Sequence, residues 1–71
     1  MMVAAVARVW HREDGWGVLD CEETPGGCWV HVSHIEADGY RALAAGQQVR
    51  VEWERADQDG FQFRAVRVVL S

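Results

Sequence analysis

The chain has no lysine, a single proline, two cysteines and no apolar run approaching a membrane span, and each shortage excludes something. Without lysine, the basic residues are seven arginines against eleven Asp plus Glu, a net charge of −4. That balance argues against the generic basic patch of a duplex-DNA binder, although a local basic stripe remains compatible with it. Two cysteines are too few for a disulfide framework. The opening MMVAAVARVW carries no positive residue ahead of its apolar stretch, and Arg8 interrupts it, so it does not read as a secretory signal. Cytoplasm is the expected compartment, and no membrane association is predicted. A chain of 71 residues forms one domain, spanning 1–71. It can bury roughly 60% of its unfolded surface, too little for a deep cleft suited to multistep catalysis. Function is therefore sought on the surface, and no enzyme activity is expected.

What the chain does have is apolar alternation with the two-residue period of strands, broken at short intervals by turn residues. The pattern predicts a first strand from Val3 to His11, ending at the turn Arg12-Glu13-Asp14-Gly15. The second, Trp16-Gly17-Val18-Leu19, puts Trp16 and Val18 on one face and Gly17 with Leu19 on the other, where a missing side chain allows close approach. The turn Glu22 to Gly27 leads into Cys28-Trp29-Val30-His31-Val32. Here Cys28, Val30 and Val32 share the core face, and Trp29 and His31 share the other. Ser33 to Ala45 is the least strand-like stretch, with a turn at Asp38-Gly39 and one helical turn over Tyr40 to Leu43. Gln48 to Arg55 alternates cleanly, Ala56 to Gly60 reads as a hairpin turn, and Phe61 to Leu70 supplies the fifth strand. The fold class is all-β: a closed or nearly closed five-stranded antiparallel OB-type barrel with Leu19, Val30, Val49, Val51 and Trp53 inside.

Antiparallel pairing of strands two and three brings Trp16 together with Trp29 and His31 on the outer face, with Trp10 and Arg8 arriving from the first strand. Aromatic faces beside cationic side chains are what proteins use to hold single-stranded nucleic acid, stacking contributing about 1–3 kcal/mol per base. The bland alternative is that these tryptophans are core, as large aromatics mostly are. Alternation favours the site, because Leu19, Cys28 and Val30 already claim the inner face and would leave Trp16 and Trp29 exposed.

The segments Val6-Ala7-Arg8-Val9-Trp10-His11, Gly15-Trp16-Gly17-Val18-Leu19, Trp29-Val30-His31-Val32-Ser33 and Gly39-Tyr40-Arg41-Ala42-Leu43 with Gly46-Gln47 resemble the bacterial cold-shock proteins in order and spacing over nearly the whole chain. Asp14 to Leu19 is similar to the first nucleic-acid motif of that family, Lys-Gly-Phe/Tyr-Gly-Phe-Ile, and Cys28 to Val32 to its second, Val-Phe-Val-His-Phe. The resemblance implies a five-stranded barrel that binds single-stranded RNA or DNA by base stacking, as an RNA chaperone or regulator of gene expression, without cofactor, metal or catalysis. Carried across, Trp16, Trp29, His31 and Tyr40 fall on base-contacting positions, Arg8 replaces a lysine, and Trp10 and His11 fall on a Phe-Asn pair. Val9, Val18 and Val32 stand where the family has aromatics, and Asp14 stands where its first motif has lysine. These departures predict weakened binding, partly recovered by the larger faces of Trp16 and Trp29 and by Trp10 if a shortened first loop lets it reach the vacated Trp site.

Three further readings carry less weight. Cys21, Cys28, His31 and His34 suggest a metal array, but Cys28 and His31 point to opposite faces of one strand. Ser33 and His34 beside Glu36 and Asp38 suggest hydrolysis, but adjacent residues rarely achieve nucleophile–base geometry. Cys21 and Cys28 flank one turn, where a disulfide is sterically conceivable and packed, reduced thiols are expected. The strongest competitor to nucleic-acid binding is a protein-interaction module on the same barrel, in which the tryptophan cluster anchors a partner. The chain is expected to be a monomer, with a weak homodimer as the alternative.

Overall fold

The structure, a computed structural model, describes residues 1–39 and 41–70. There are six strands: β1 (Val3–His11), β2 (Trp16–Asp20), β3 (Cys28–His31), β4 (Ile35–Glu36), which falls in the stretch read as least strand-like, β5 (Gln48–Gln58) and β6 (Phe61–Leu70). They form one sheet in the order β3-β2-β1-β5-β6-β4, and a further β3–β6 pairing closes it into a barrel. The five long strands are those expected, but the barrel is not purely antiparallel. β3 and β6 run parallel where they close it, and the two-residue β4 also lies parallel to β6. Four antiparallel pairings separate β3 from β6 around the sheet, and an even number of reversals leaves the two closing strands pointing the same way.

Inside the barrel are Ala5, Ala7, Leu19, Cys28, Val30, Ile35, Leu43, Val49, Val51, Phe63, Ala65 and Val68. Leu19, Val30, Val49 and Val51 are among them, as alternation predicts. Trp53 is a correction: it packs against the core but remains partly exposed, edge-on to Phe63 at 5.4 Å. Trp53 keeps the core-facing parity of Val49 and Val51 but borders a surface pocket with Met1, Val3 and Glu23, and beside it the β6 ladder is bulged, Glu52 pairing with Arg67 but Trp53 with Ala65. The skipped Val66 lies 44% exposed, as expected of a bulge that interrupts the alternation.

Two boundaries also move. β3 ends at His31, and Val32–His34 form a single 3₁₀ turn instead of extending the strand. The imidazole of His31 accepts a hydrogen bond from the Ser33 amide and so caps that turn. β5 runs to Gln58, making the hairpin a tight Asp59-Gly60 turn with Asp59 at a φ of 51°. The helical turn expected over residues 40–43 is absent from Arg41 to Leu43, and Tyr40 lies outside the described residues. Among the described residues no helix is long and apolar enough to cross a membrane.

Candidate nucleic-acid interface

Pairing of β1, β2 and β3 assembles the outer face. His11 stands opposite Trp16 on β2, and Trp16 stands opposite His31 on β3 with Trp29 two residues away. Their rings form a continuous row. His11 and Trp16 have centroids 4.2 Å apart with planes tilted by 39°. Trp16 and Trp29 are 6.5 Å apart at 24°, and Trp29 and His31 are 5.9 Å apart at 26°. All four side chains are partly exposed, while Leu19, Cys28 and Val30 on the reverse of β2 and β3 are buried. The near-parallel planes of Trp16, Trp29 and His31, each partly exposed, make an aromatic surface of the kind another flat group can join.

His34 extends the row, although its sequence context had suggested only metal binding or hydrolysis. Its ring stands edge-on to Trp29 (6.5 Å, 73°) and to His31 (6.1 Å, 70°). The 3₁₀ turn accounts for this, because it folds the third residue after His31 back beside the strand instead of carrying it away. A histidine three residues after His31, following a Val-Ser that breaks the strand pattern, is the signal that would have revealed it. Burial and the proximity of His31 and Arg64 hold His34 below the ordinary histidine pKa, with Glu54 opposing. Two buried polar atoms in the row, Trp29 Nε1 and His34 Nδ1, have no hydrogen-bond partner among the described residues. His31 differs: its Nδ1 lies 2.8 Å from Ser33 Oγ and accepts the Ser33 amide at 3.1 Å. When neutral, its ring therefore carries its proton on Nε2.

Trp10 lies on the other side of the sheet. A bulge at Arg8 shifts the β1–β2 register between Ala7 and Val9, so Trp10 pairs with Gly17 and its indole turns inward against the core. A Cβ on Gly17 would overlap the Trp10 ring and the Val9 carbonyl. Trp10 thus packs behind the β1–β2 face and does not take the vacated outer Trp position.

Arg8 remains on the outer face, bound to Asp20 through Nε at 3.1 and 3.0 Å and through Nη2 at 2.5 Å. Nη2 also donates to the Gly26 carbonyl at 3.3 Å. The carboxylate raises the Arg8 pKa, and the guanidinium lowers that of Asp20. Val18, on the neighbouring strand, is only 2% exposed. The space above Gly27 is filled by Val18, Arg8 Nη2 and Phe61 together. A valine at this outer position is thus covered by the turn instead of joining the ring row. On the opposite flank, Arg64 is the β6 register partner of Trp29 and donates to Glu54 at 2.5 Å. A third arginine, Arg67, pairs with Glu36 at 2.5 Å.

Neither cysteine is bridged. Cys28 is fully buried, and desolvation with a contribution from Cys21 pushes its thiol up to about 12. Cys21 is partly exposed, with its sulfur 3.1 Å from Thr24 Oγ1. Cys28 therefore faces the barrel interior while His31 and His34 lie in the outer row, separating the residues of the considered metal array.

No protein-family model matches the chain. Individual proteins do. The chain is 33% identical over 57 residues to the cold shock-like protein CspD of Haemophilus influenzae, an alignment covering 80% of this chain and 79% of the relative. It is 35% identical over 54 residues to CspD of Vibrio cholerae, covering 76% and 71% respectively. With motif order, barrel topology and these alignments in agreement, the chain belongs to the cold-shock protein family.

Proposed function

We propose that the outer face of β1–β3 binds single-stranded nucleic acid, RNA or DNA, by stacking bases on His11, Trp16, Trp29 and His31. The observation that carries this reading is the continuous row of four rings across three strands, with the opposite face of β2 and β3 committed to the core. Bases offer flat faces regardless of identity, so such a row accepts a strand with modest sequence preference and rejects duplexes, whose faces are already stacked. Arg8 contacts phosphate at one flank, Trp10 backs the platform through Gly17, and Tyr40 is a further base-contacting residue by family resemblance alone. The buried, unpartnered Trp29 Nε1 and His34 Nδ1 support the reading as polar groups that a bound strand would satisfy on turning the rings outward. In this role the protein acts as a cold-shock-like RNA chaperone or regulator of gene expression.

The reading is tested by tryptophan fluorescence titration with oligo-pyrimidine, random single strands and a duplex at two salt concentrations. Quenching by both single strands, weaker at higher salt and much weaker with the duplex, is the expected result. Absence of binding at low salt would instead favour a protein-interaction module, consistent with the commitment of Arg8 to Asp20.

A further inference from the structure

We infer that Asp20 and Glu54 act as built-in competitors for phosphate, each holding one of two arginines, Arg8 and Arg64, that flank Trp29. This rests on the nucleic-acid reading above and adds Arg64 to the interface together with a means of restraining affinity.

The cross-strand register provides the geometry. Val18 on β2 pairs with Trp29 on β3, and Trp29 pairs with Arg64 on β6. On the far side of Val18 the β1 bulge carries Arg8. A line around the barrel therefore passes from Arg8 over Val18 to Trp29 and on to Arg64, with one cation on each side of the central stacking face. Each cation already has a carboxylate. Asp20 grips Arg8 through two guanidinium nitrogens, and Glu54, the register partner of Arg64 on β5, takes the Arg64 Nε–H.

The fork of N–H groups that an arginine presents to a carboxylate is the one it presents to a phosphate, so the two anions compete for the same donors. Both pairs are about half exposed, with side-chain accessibilities of 45% and 49% for Arg8 and Asp20 and 44% and 43% for Arg64 and Glu54. Exposed pairs of this kind are easily exchanged. Phosphates arriving on either side of Trp29 can therefore displace the carboxylates without unfolding anything, but binding is weaker than the two arginines alone would provide. The absence of lysine increases the effect, because no lysine substitutes for a cation held in this way.

The test uses Asp20→Asn and Glu54→Gln in the intact chain, titrated with an oligo-pyrimidine strand across a salt series. Each variant is expected to bind about two- to fivefold tighter at low salt, the range an exposed ion pair can withhold. The slope of log affinity against log salt should steepen by about 0.7 for each arginine released. Glu22→Gln makes the same charge change at the neighbouring turn and is expected to have a smaller effect and no change in slope. In Arg8→Gln and Arg64→Gln backgrounds the corresponding gains should disappear, as a double-mutant cycle requires of a coupled pair. Wild-type binding with unchanged affinity and slope in both carboxylate variants would overturn the inference while leaving the nucleic-acid reading intact. Gains that persist without the arginines would also overturn it, reducing the effect to general charge repulsion. Failure of wild type and variants alike to bind at low salt would reject both proposals. Circular dichroism of each variant checks that the fold is retained.

Discussion

The indole of Trp10 occupies the space where residue 17, were it anything but glycine, would place its Cβ. Because the Val9 carbonyl and the Trp10 Cα also border that point, the backbone itself would have to move. Gly17→Ala is therefore expected to destabilise the barrel by about 3 kcal/mol or more, at the upper end for overpacking, as measured by urea unfolding. For a domain of this size that approaches the whole stability.

Trp29 and Trp53 should separate binding from stability. Trp29→Ala removes the centre of the ring row and should weaken single-strand binding by about 1–3 kcal/mol with little change in the urea midpoint. Trp53→Ala removes a partly exposed ring packed edge-on to Phe63. It should lower stability by about 1–3 kcal/mol, below the full cost of a buried aromatic, and leave strand affinity unchanged once the sample is folded.

Stability should fall on mild acidification because of His34. Its pKa in the folded chain lies below the ordinary value of 6.5, so between those values the unfolded chain holds a proton that the folded chain does not. The contribution is intact above about pH 6.5 and is lost as the pH falls toward the lower folded value. Urea midpoints at pH 7.5 and about 5.5 should differ in wild type and differ less in His34→Gln. Asp20 and Glu36 have depressed carboxyl pKa values through their arginine partners. Their contributions persist through this range and are lost only in stronger acid.

Thiol labelling of the native protein should modify Cys21 before Cys28. Cys28 is enclosed and its thiol is pushed up to about 12, so at pH about 8 almost no reactive thiolate forms there. Mass spectrometry after brief alkylation should show one adduct on Cys21, with Cys28 reacting only in denaturant.

Asp14 lies exposed in the turn between His11 and Trp16. Asp14→Lys should tighten single-strand binding at low salt and steepen its salt dependence by about 0.7, because one repelling charge is replaced by one that releases a counterion.

Alternation was informative wherever it ran uninterrupted. It predicted both ends of β1 and β6, and it predicted the opposed faces of Trp29 and Val30, because a side chain's face in a strand follows from parity alone. It failed at bulges, where parity changes without a sequence signal. The bulge at Arg8 turned Trp10 inward, and the one at Val66 left Val66 and Arg67 both exposed in succession on β6. Parallel closure of β3 by β6 was illegible for a different reason: the pairing joins segments far apart in the chain, while alternation reports only on neighbours. The site showed the same division. Trp16, Trp29 and His31 could be grouped from adjacent strands, whereas placing Arg64 beside Trp29 required the closed barrel.

That closure has a consequence for the order of folding. His11, Trp16, Trp29 and His31 belong to the antiparallel meander β1–β3, which is built from local pairings and can form early. Arg64 arrives only when the last strand docks, after the chain has met the entropic cost of a long loop. A chain stopped before β6 would retain every aromatic of the row. It would also leave one side of β3 as a bare strand edge, open to pairing with another chain. The ring row can thus exist transiently before the molecule is protected from self-association, and the final strand both brings Arg64 beside Trp29 and seals that edge.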